Sequence, residues 1–142
     1  MTFRALLTAA LLLAPSMALA DPCTAPVRGF SPGEKFVGTV RYVGDGDGLC
    51  VGPTSDPRTW IEVRLVNWFA PELSEPGGRE AKNALEGQTK GRAAVCTVRR
   101  GHDGKTWSYD RVIASCAVDG RDIGRLMGAA GVTQGGRGYS AR

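Results

Sequence analysis

The sequence has few of the residues on which common catalytic and metal sites depend. It contains one histidine, His102, and no Cys-x-x-Cys pair. A four-ligand zinc site and a serine nucleophile activated by histidine are therefore not indicated. Beyond the first 20 residues, no stretch is apolar enough to span a bilayer, so we expect no membrane-spanning segment in the folded chain. Any site chemistry consequently rests on carboxylates and arginines.

The first 20 residues have the pattern of a secretory signal peptide. Arg4 precedes an apolar run over residues 5–14, and Ala18-Leu19-Ala20 gives a small-x-small cleavage site. We therefore expect an exported protein, periplasmic or extracellular, whose folded chain begins at Asp21. An even number of cysteines in an oxidising compartment predicts two disulfides, and all four lie after this segment: Cys23, Cys50, Cys96 and Cys116.

Alternating apolar residues predict five short strands, and two segments with helical spacing complete the domain. The 20 glycines and 8 prolines favour tight turns over long helices. The expected order is a strand at 35–43, a strand at 49–51, a strand from 60 to about 70, a helix opening at 74–78, strands at 93–99 and 109–118, and a helix from 122 to 131. This order favours an α+β fold, a five-stranded barrel of the OB type with two helices. Residues 21–34 are expected to form an N-terminal arm, 35–132 the domain and 133–142 a flexible glycine-rich tail.

The strand order also suggests how the cysteines pair. The fourth and fifth strands are expected to form an antiparallel hairpin, which brings Cys96 and Cys116 onto neighbouring strands. Cys23 and Cys50 remain, and their bridge would tie the arm to the second strand. Each bridge is expected to add about 2–4 kcal/mol of stability.

Three segments carry residues that can bind a phosphate or a cation. Arg64 lies on the third strand, and Glu72 follows one short loop later; together they can clamp a phosphate and activate a water, or form a surface ion pair. The turn Asp45-Gly46-Asp47 can present two carboxylates to a hard cation such as Ca²⁺, although such turns are common without a metal. Arg111, early in the fifth strand, is a second candidate phosphate ligand.

These segments occur in a fixed order, at residues 43–47, 63–65, 70–72 and 109–114. In this order the chain resembles the staphylococcal nuclease (thermonuclease) family over about residues 36–132. The resemblance implies an OB barrel that hydrolyses DNA and RNA phosphodiesters with Ca²⁺. It also implies a role for each matching residue: metal binding for Asp47 with Asp45 nearby, phosphate binding for Arg64 and Arg111, activation of water for Glu72, and nucleotide contact for Tyr109.

One departure from the family pattern affects the metal. The family usually has an aspartate, a second carboxylate ligand, where this chain has Phe69. Loss of that ligand is expected to weaken Ca²⁺ binding, with the Ala70 carbonyl and the Asn67 side chain as other oxygen donors. Two further hypotheses follow: a non-catalytic OB module that binds nucleic acid or protein, and a disulfide-stapled interaction domain with Trp68 and Phe69 exposed beside the site.

Overall fold

The structure is a computed structural model that describes residues 21–138. The predicted signal peptide at 1–20 and the last part of the predicted tail, 139–142, lie outside the described residues, so both stay predictions. Within 21–138 no helix is long and apolar enough to cross a membrane.

The described chain contains seven strands, two α-helices and a short 3-10 turn at Pro57–Thr59. The strands are β1 (Lys35–Val43), β2 (Gly48–Gly52), β3 (Ile61–Leu65), β4 (Ala93–Val98), β5 (Trp107–Ser108), β6 (Arg111–Val118) and β7 (Arg121–Asp122). The helices are α1 (Gly78–Thr89) and α2 (Ile123–Ala129).

Five of the strands close into a barrel. Antiparallel pairs join β3 to β2, β2 to β1, β1 to β4 and β4 to β6, and a parallel pairing of β3 with β6 completes the circle. The short strands β5 and β7 both pair with β6 outside this circle. The predicted five-stranded barrel with two helices is therefore confirmed, and closure leaves its long strands without free edges.

Two strand boundaries differ from the sequence prediction. The third strand ends at Leu65, not near Ala70, because its parallel pairing with β6 stops there and the chain turns away. The fifth predicted strand is interrupted at Tyr109, whose backbone has φ 55°, a left-handed conformation that a strand cannot contain. Tyr109 and Asp110 therefore form a tight turn between β5 and β6.

The barrel interior and the inner faces of both helices form one apolar core. Leu49, Val63 and Leu65 fill the barrel. Helix α1 adds Leu85 to this core, and helix α2 adds Ile123 and Met127. Trp68 is only 3% exposed and belongs to this core, so the expectation that it lies on the surface is wrong. The first turn after β3 directs its indole inward, where burial of a large aromatic ring is most favourable.

Both predicted disulfides are present. Cys96 and Cys116 are direct antiparallel partners on β4 and β6, with their Cα atoms 4.0 Å apart. Cys23 of the arm is bonded to Cys50 of β2, with a Cα separation of 5.9 Å. The second bridge fixes the arm against the barrel, as the sequence predicted.

Candidate functional site

A cleft of about 960 Å³ brings together the six residues to which the sequence assigned catalysis, metal binding or nucleotide contact. Its walls come from the turn before β2, from β3 and the loop after it, from the β4–β5 hairpin and from the start of β6. The six predicted site residues that line it are Asp45, Asp47, Arg64, Glu72, Tyr109 and Arg111. Segments far apart in the sequence therefore meet at one concave surface, as a site requires.

Strand pairing places the acidic turn beside Arg64. Gly48 is the register partner of Arg64, and the Asp47 carbonyl accepts a hydrogen bond of 3.0 Å from the Leu65 backbone N–H. Within the turn, the Asp47 N–H donates to the Asp45 carboxylate at 3.1 Å. Gly46 leaves no room for a side chain, because a Cβ there would lie 2.5 Å from the Ala70 Cβ.

Asp47 is buried and serves as an anchor for Arg64. Its residue exposure is 6%, and its carboxylate forms an ion pair with the Arg64 guanidinium. The same carboxylate accepts a hydrogen bond of 2.9 Å from the Ala70 backbone N–H. Burial raises the pKa of Asp47 to about 6, and Asp45 adds to this increase, while Arg64 and the Ala70 hydrogen bond oppose it. Asp47 therefore stays largely ionised at neutral pH, and its carboxylate holds the Arg64 guanidinium in position.

Arg64 is also held by two groups on its other sides. Its guanidinium carbon lies 5.2 Å from the centre of the Phe69 ring, within the range of a cation–π contact. Its Nη2 donates to the carbonyl of Arg137 at 3.1 Å. The side chain is 17% exposed, so the guanidinium is fixed in position while part of it still reaches the cleft. An arginine arranged in this way is preorganised for an anion.

The acidic groups fall short of a complete calcium site. Phe69 occupies the position where a second carboxylate was expected, and one oxygen of Asp47 is already bonded to Arg64 and Ala70. Asn67 does not line the cleft, because its amide donates to the Asp122 carboxylate at 2.9 Å. No group of three His, Cys, Asp or Glu side chains within residues 21–138 is placed to hold a metal. Since Ca²⁺ takes six to eight oxygens, Ca²⁺ binding at Asp45 and Asp47 stays a prediction.

Glu72 lies at the wall of the cleft on a tightly packed loop. Its backbone N–H donates to the Glu75 carboxylate at 3.0 Å, and a Cβ on Gly78 would lie 1.9 Å from its carbonyl oxygen. The side chain is half-buried. Across the part of the chain that the structure describes, no side chain forms an ion pair or hydrogen bond with its carboxylate. Glu72 is thus held by its backbone, and its carboxylate remains available to a water or a substrate.

Arg111 has a buried acidic neighbour that the sequence did not indicate. Glu62 is 8% exposed on β3, beside Asp21 of the arm. Burial raises the pKa of Glu62 to about 8, and a hydrogen bond to Asp21 and the charges of Asp21 and Asp110 add to the increase, while Arg111 lowers it. The raised pKa favours the protonated form of Glu62 at neutral pH, and Arg111 forms no ion pair with another side chain within residues 21–138.

The sequence also missed the residues of the predicted tail that contribute to the cleft. Gly135 donates its N–H to the Phe69 carbonyl at 3.2 Å, and Gln134, Arg137 and Gly138 line the cleft. Gly136 has φ 79° and lies against the Ala70 carbonyl, where a side chain would not fit. The glycine-rich composition that suggested a loose segment in fact allows residues 133–138 to pack closely over the loop after β3.

The β4–β5 hairpin supplies the opposite wall with Arg100, His102 and Asp103. His102 is exposed, as expected from its position in a polar hairpin loop.

Comparison with known proteins adds no further assignment: neither a scan against protein-family models nor a search of curated proteins produced a match. The resemblance to the thermonuclease family therefore rests on the residue pattern and stays a prediction.

Proposed function

We propose that the protein is a phosphodiesterase of the thermonuclease type that hydrolyses DNA or RNA. The proposal is supported by one observation above all: Arg64, Arg111 and Glu72 line the same cleft. Two arginines can neutralise the charge that develops on a phosphoryl group, and a carboxylate can activate the attacking water. The two disulfides suit the proposed export to an oxidising compartment.

The position of Glu72 favours catalysis over simple binding. A carboxylate in a phosphate-binding cleft repels the ligand and weakens binding, so a protein that only binds nucleic acid gains nothing from it. A hydrolase does gain, because a carboxylate within reach of a water is a general base. Glu72 also lacks an arginine or lysine partner among the described residues that would explain it as a structural ion pair.

The proposed reaction is an attack of water on the phosphorus. Glu72 accepts a proton from the water as its oxygen bonds to phosphorus, and the bond from phosphorus to the leaving oxygen breaks. Arg64, fixed by Asp47, and Arg111 stabilise the negative charge on the non-bridging oxygens. The leaving oxygen takes its proton from solvent. Tyr109 is 85% exposed at the edge of the cleft and offers a flat surface for a base or sugar of the bound strand.

The test is cleavage of labelled single-stranded DNA and RNA by the disulfide-bonded protein. Reactions contain Ca²⁺, Mg²⁺, Mn²⁺ or a chelator, so that any cation requirement appears directly. Glu72→Gln removes the general base and is expected to lower the rate by about 10²–10⁴-fold. Glu80→Gln is the matched control, because Glu80 is exposed on α1 and does not line the cleft. Equal rates for the two variants would contradict the role of Glu72.

A second candidate function is a non-catalytic module that binds nucleic acid. It is favoured by Phe69 in place of a carboxylate and by the pairing of Asp47 with Arg64, both of which reduce the capacity for a metal. If this function is correct, the folded protein binds strands without cutting them in every cation. Glu72→Gln then binds more tightly than the unaltered protein, because the substitution removes a repulsive charge.

A further inference from the structure

A second depression, which we call the arginine groove, adjoins the cleft. It has a volume of about 1220 Å³ and lies between the end of β4, the loop after β3 and helix α2. Its charged lining residues are Arg99, Arg100, Arg121, Arg125 and Asp122. We propose that this groove binds the phosphate backbone of a single nucleic-acid strand whose scissile phosphate lies in the cleft. This proposal rests on the proposed function of the cleft.

The cleft and the groove form a continuous path. Val66, Arg100 and Gln134 line both of them, so the two depressions meet at these residues. Arg100 is exposed at this junction, and one of its guanidinium nitrogens donates to the Gly104 carbonyl at 2.7 Å. That bond fixes the guanidinium at the boundary between the two depressions and leaves its remaining donors for a ligand.

The two depressions differ in charge. The cleft has four arginines and four acidic residues: Arg64, Arg100, Arg111, Arg137, Asp45, Asp47, Glu72 and Asp103. Its formal charge is therefore close to zero, which gives little long-range attraction for a polyanion. The groove has four arginines and one aspartate, an excess of three positive charges. The attraction that holds a strand must consequently come from the groove, while the cleft supplies the chemistry.

The groove arginines are free to contact phosphates. Arg121 and Arg125 are exposed, and neither side chain forms an ion pair or hydrogen bond with another residue in the range 21–138. Arg99 donates only its Nε to the Ser115 hydroxyl, at 3.2 Å, so its terminal nitrogens remain available. The one acid, Asp122, is occupied as the N-cap of α2, where it accepts from the Arg125 backbone N–H and from Asn67. Asp122 is thus bonded to backbone and amide donors and forms no ion pair with these guanidinium groups within residues 21–138.

The groove predicts that binding strength depends on strand length. A thymidine dinucleotide fills only the cleft, whereas an oligothymidylate of about 12 nucleotides is long enough to reach the groove as well. We therefore expect the longer strand to bind far more tightly, with a steeper dependence on salt. Each phosphate contact on a single strand contributes about 0.7 to the slope of log affinity against log salt concentration.

The experiment measures the binding of both strands by fluorescence anisotropy across a salt series, and every protein carries Glu72→Gln so that the strands are not cleaved. The test protein is the double variant Arg121→Gln/Arg125→Gln. The control is Lys35→Gln/Arg79→Gln, which removes the same charge from exposed residues that line neither depression. Circular dichroism verifies the fold of each variant. The groove variant is expected to bind the longer strand about 25-fold more weakly at about 0.1 M salt, with a slope smaller by about 1.4, and to bind the dinucleotide unchanged.

Each other outcome overturns a defined part of the proposal. Equal weakening by the control pair would show that only net charge matters, and equal binding of all proteins to the longer strand would remove the groove from the path. Displacement of the strand by polyglutamate of equal charge would identify a general polyanion site. Failure of the proposed function has a separate signature: the unaltered protein then cuts neither strand, whatever the groove variant does to binding.

Discussion

Replacing Glu62 by glutamine is expected to remove a specific loss of stability that occurs as the pH rises from about 4.5 to about 8. Glu62 is buried beside Asp21, with Asp110 and Arg111 as its other charged neighbours, and its pKa is raised from 4.5 to about 8. Between these two values the folded protein keeps a proton that the unfolded chain has lost. Stability from this group is therefore complete below about pH 4.5 and is lost as the pH rises through about 8.

The size of this effect follows from the shift in pKa. One pKa unit corresponds to about 1.4 kcal/mol, so the full shift would amount to nearly 5 kcal/mol. Solvent near the carboxyl group screens part of it, and we expect about 2 kcal/mol. Glutamine resembles the protonated acid in shape and retains a donor for Asp21. Glu62→Gln should therefore equal the unaltered protein at about pH 5 and exceed its free energy of unfolding by about 2 kcal/mol at about pH 8.5.

The assay is guanidinium unfolding, followed by tryptophan fluorescence, with both disulfides intact. Asp47 also loses stabilisation of the folded state as the pH rises, but its pKa of about 6 means that most of this loss is complete at lower pH. The comparison between about pH 6.5 and 8.5 therefore isolates Glu62. Glu80→Gln, an exposed acid on α1, serves as control and should follow the unaltered protein. Parallel curves for Glu62→Gln and the unaltered protein over this range would refute a protonated Glu62.

Two further predictions concern packing and covalent structure. Gly46→Ala should lower the free energy of unfolding by about 1–3 kcal/mol, because its Cβ would lie 2.5 Å and 2.6 Å from the β-carbons of Ala70 and Ala81. Gly87 on α1 has open space around it, so Gly87→Ala should instead raise the free energy of unfolding by about 1 kcal/mol. Thermal unfolding measures both, and destabilisation by the second would contradict the packing described for α1. Replacing both cysteines of the β4–β6 disulfide by alanine should cost about 3 kcal/mol, since that bridge closes a loop with a sequence separation of 20. An unchanged denaturation midpoint would show that the disulfide does not stabilise the protein by reducing the conformational entropy of the unfolded chain.

The barrel was predictable from sequence because its strands have a clear period of two and are separated by turn residues. The predicted bounds 35–43 match those of β1, although the register irregularity between Val40 and Tyr42 interrupts its alternation. The end of β3 was not predictable in the same way. Val66 and Trp68 continue the apolar pattern past Leu65, yet the indole lies in the core, close to Gly128 of α2. A pattern along one segment does not indicate where a partner strand ends.

The residues of the candidate site likewise fall into those that the sequence predicts and those that it does not. Arg64, Glu72 and Arg111 were recognisable because each belongs to a short motif at a fixed place on a strand or turn. Glu62 and Arg137 have no such motif. Their positions depend on how the arm and residues 133–138 pack across the barrel, which involves contacts between residues far apart in sequence. Such contacts follow from the completed fold and not from local composition.

Phe69 stands where the family resemblance leads us to expect a second carboxylate, and this affects the role of Asp47. With two carboxylates, the acidic turn would have excess negative charge, which a cation would have to balance. With Phe69, the charge of Asp47 is balanced by Arg64, and the ring covers one face of the guanidinium. The cleft is thereby organised around a fixed arginine, and its formal charge is close to zero without a metal. Because that neutrality gives little general attraction for a polyanion, the proposed nucleic-acid strand would be held elsewhere, and we expect the excess of arginine in the adjoining groove to hold it.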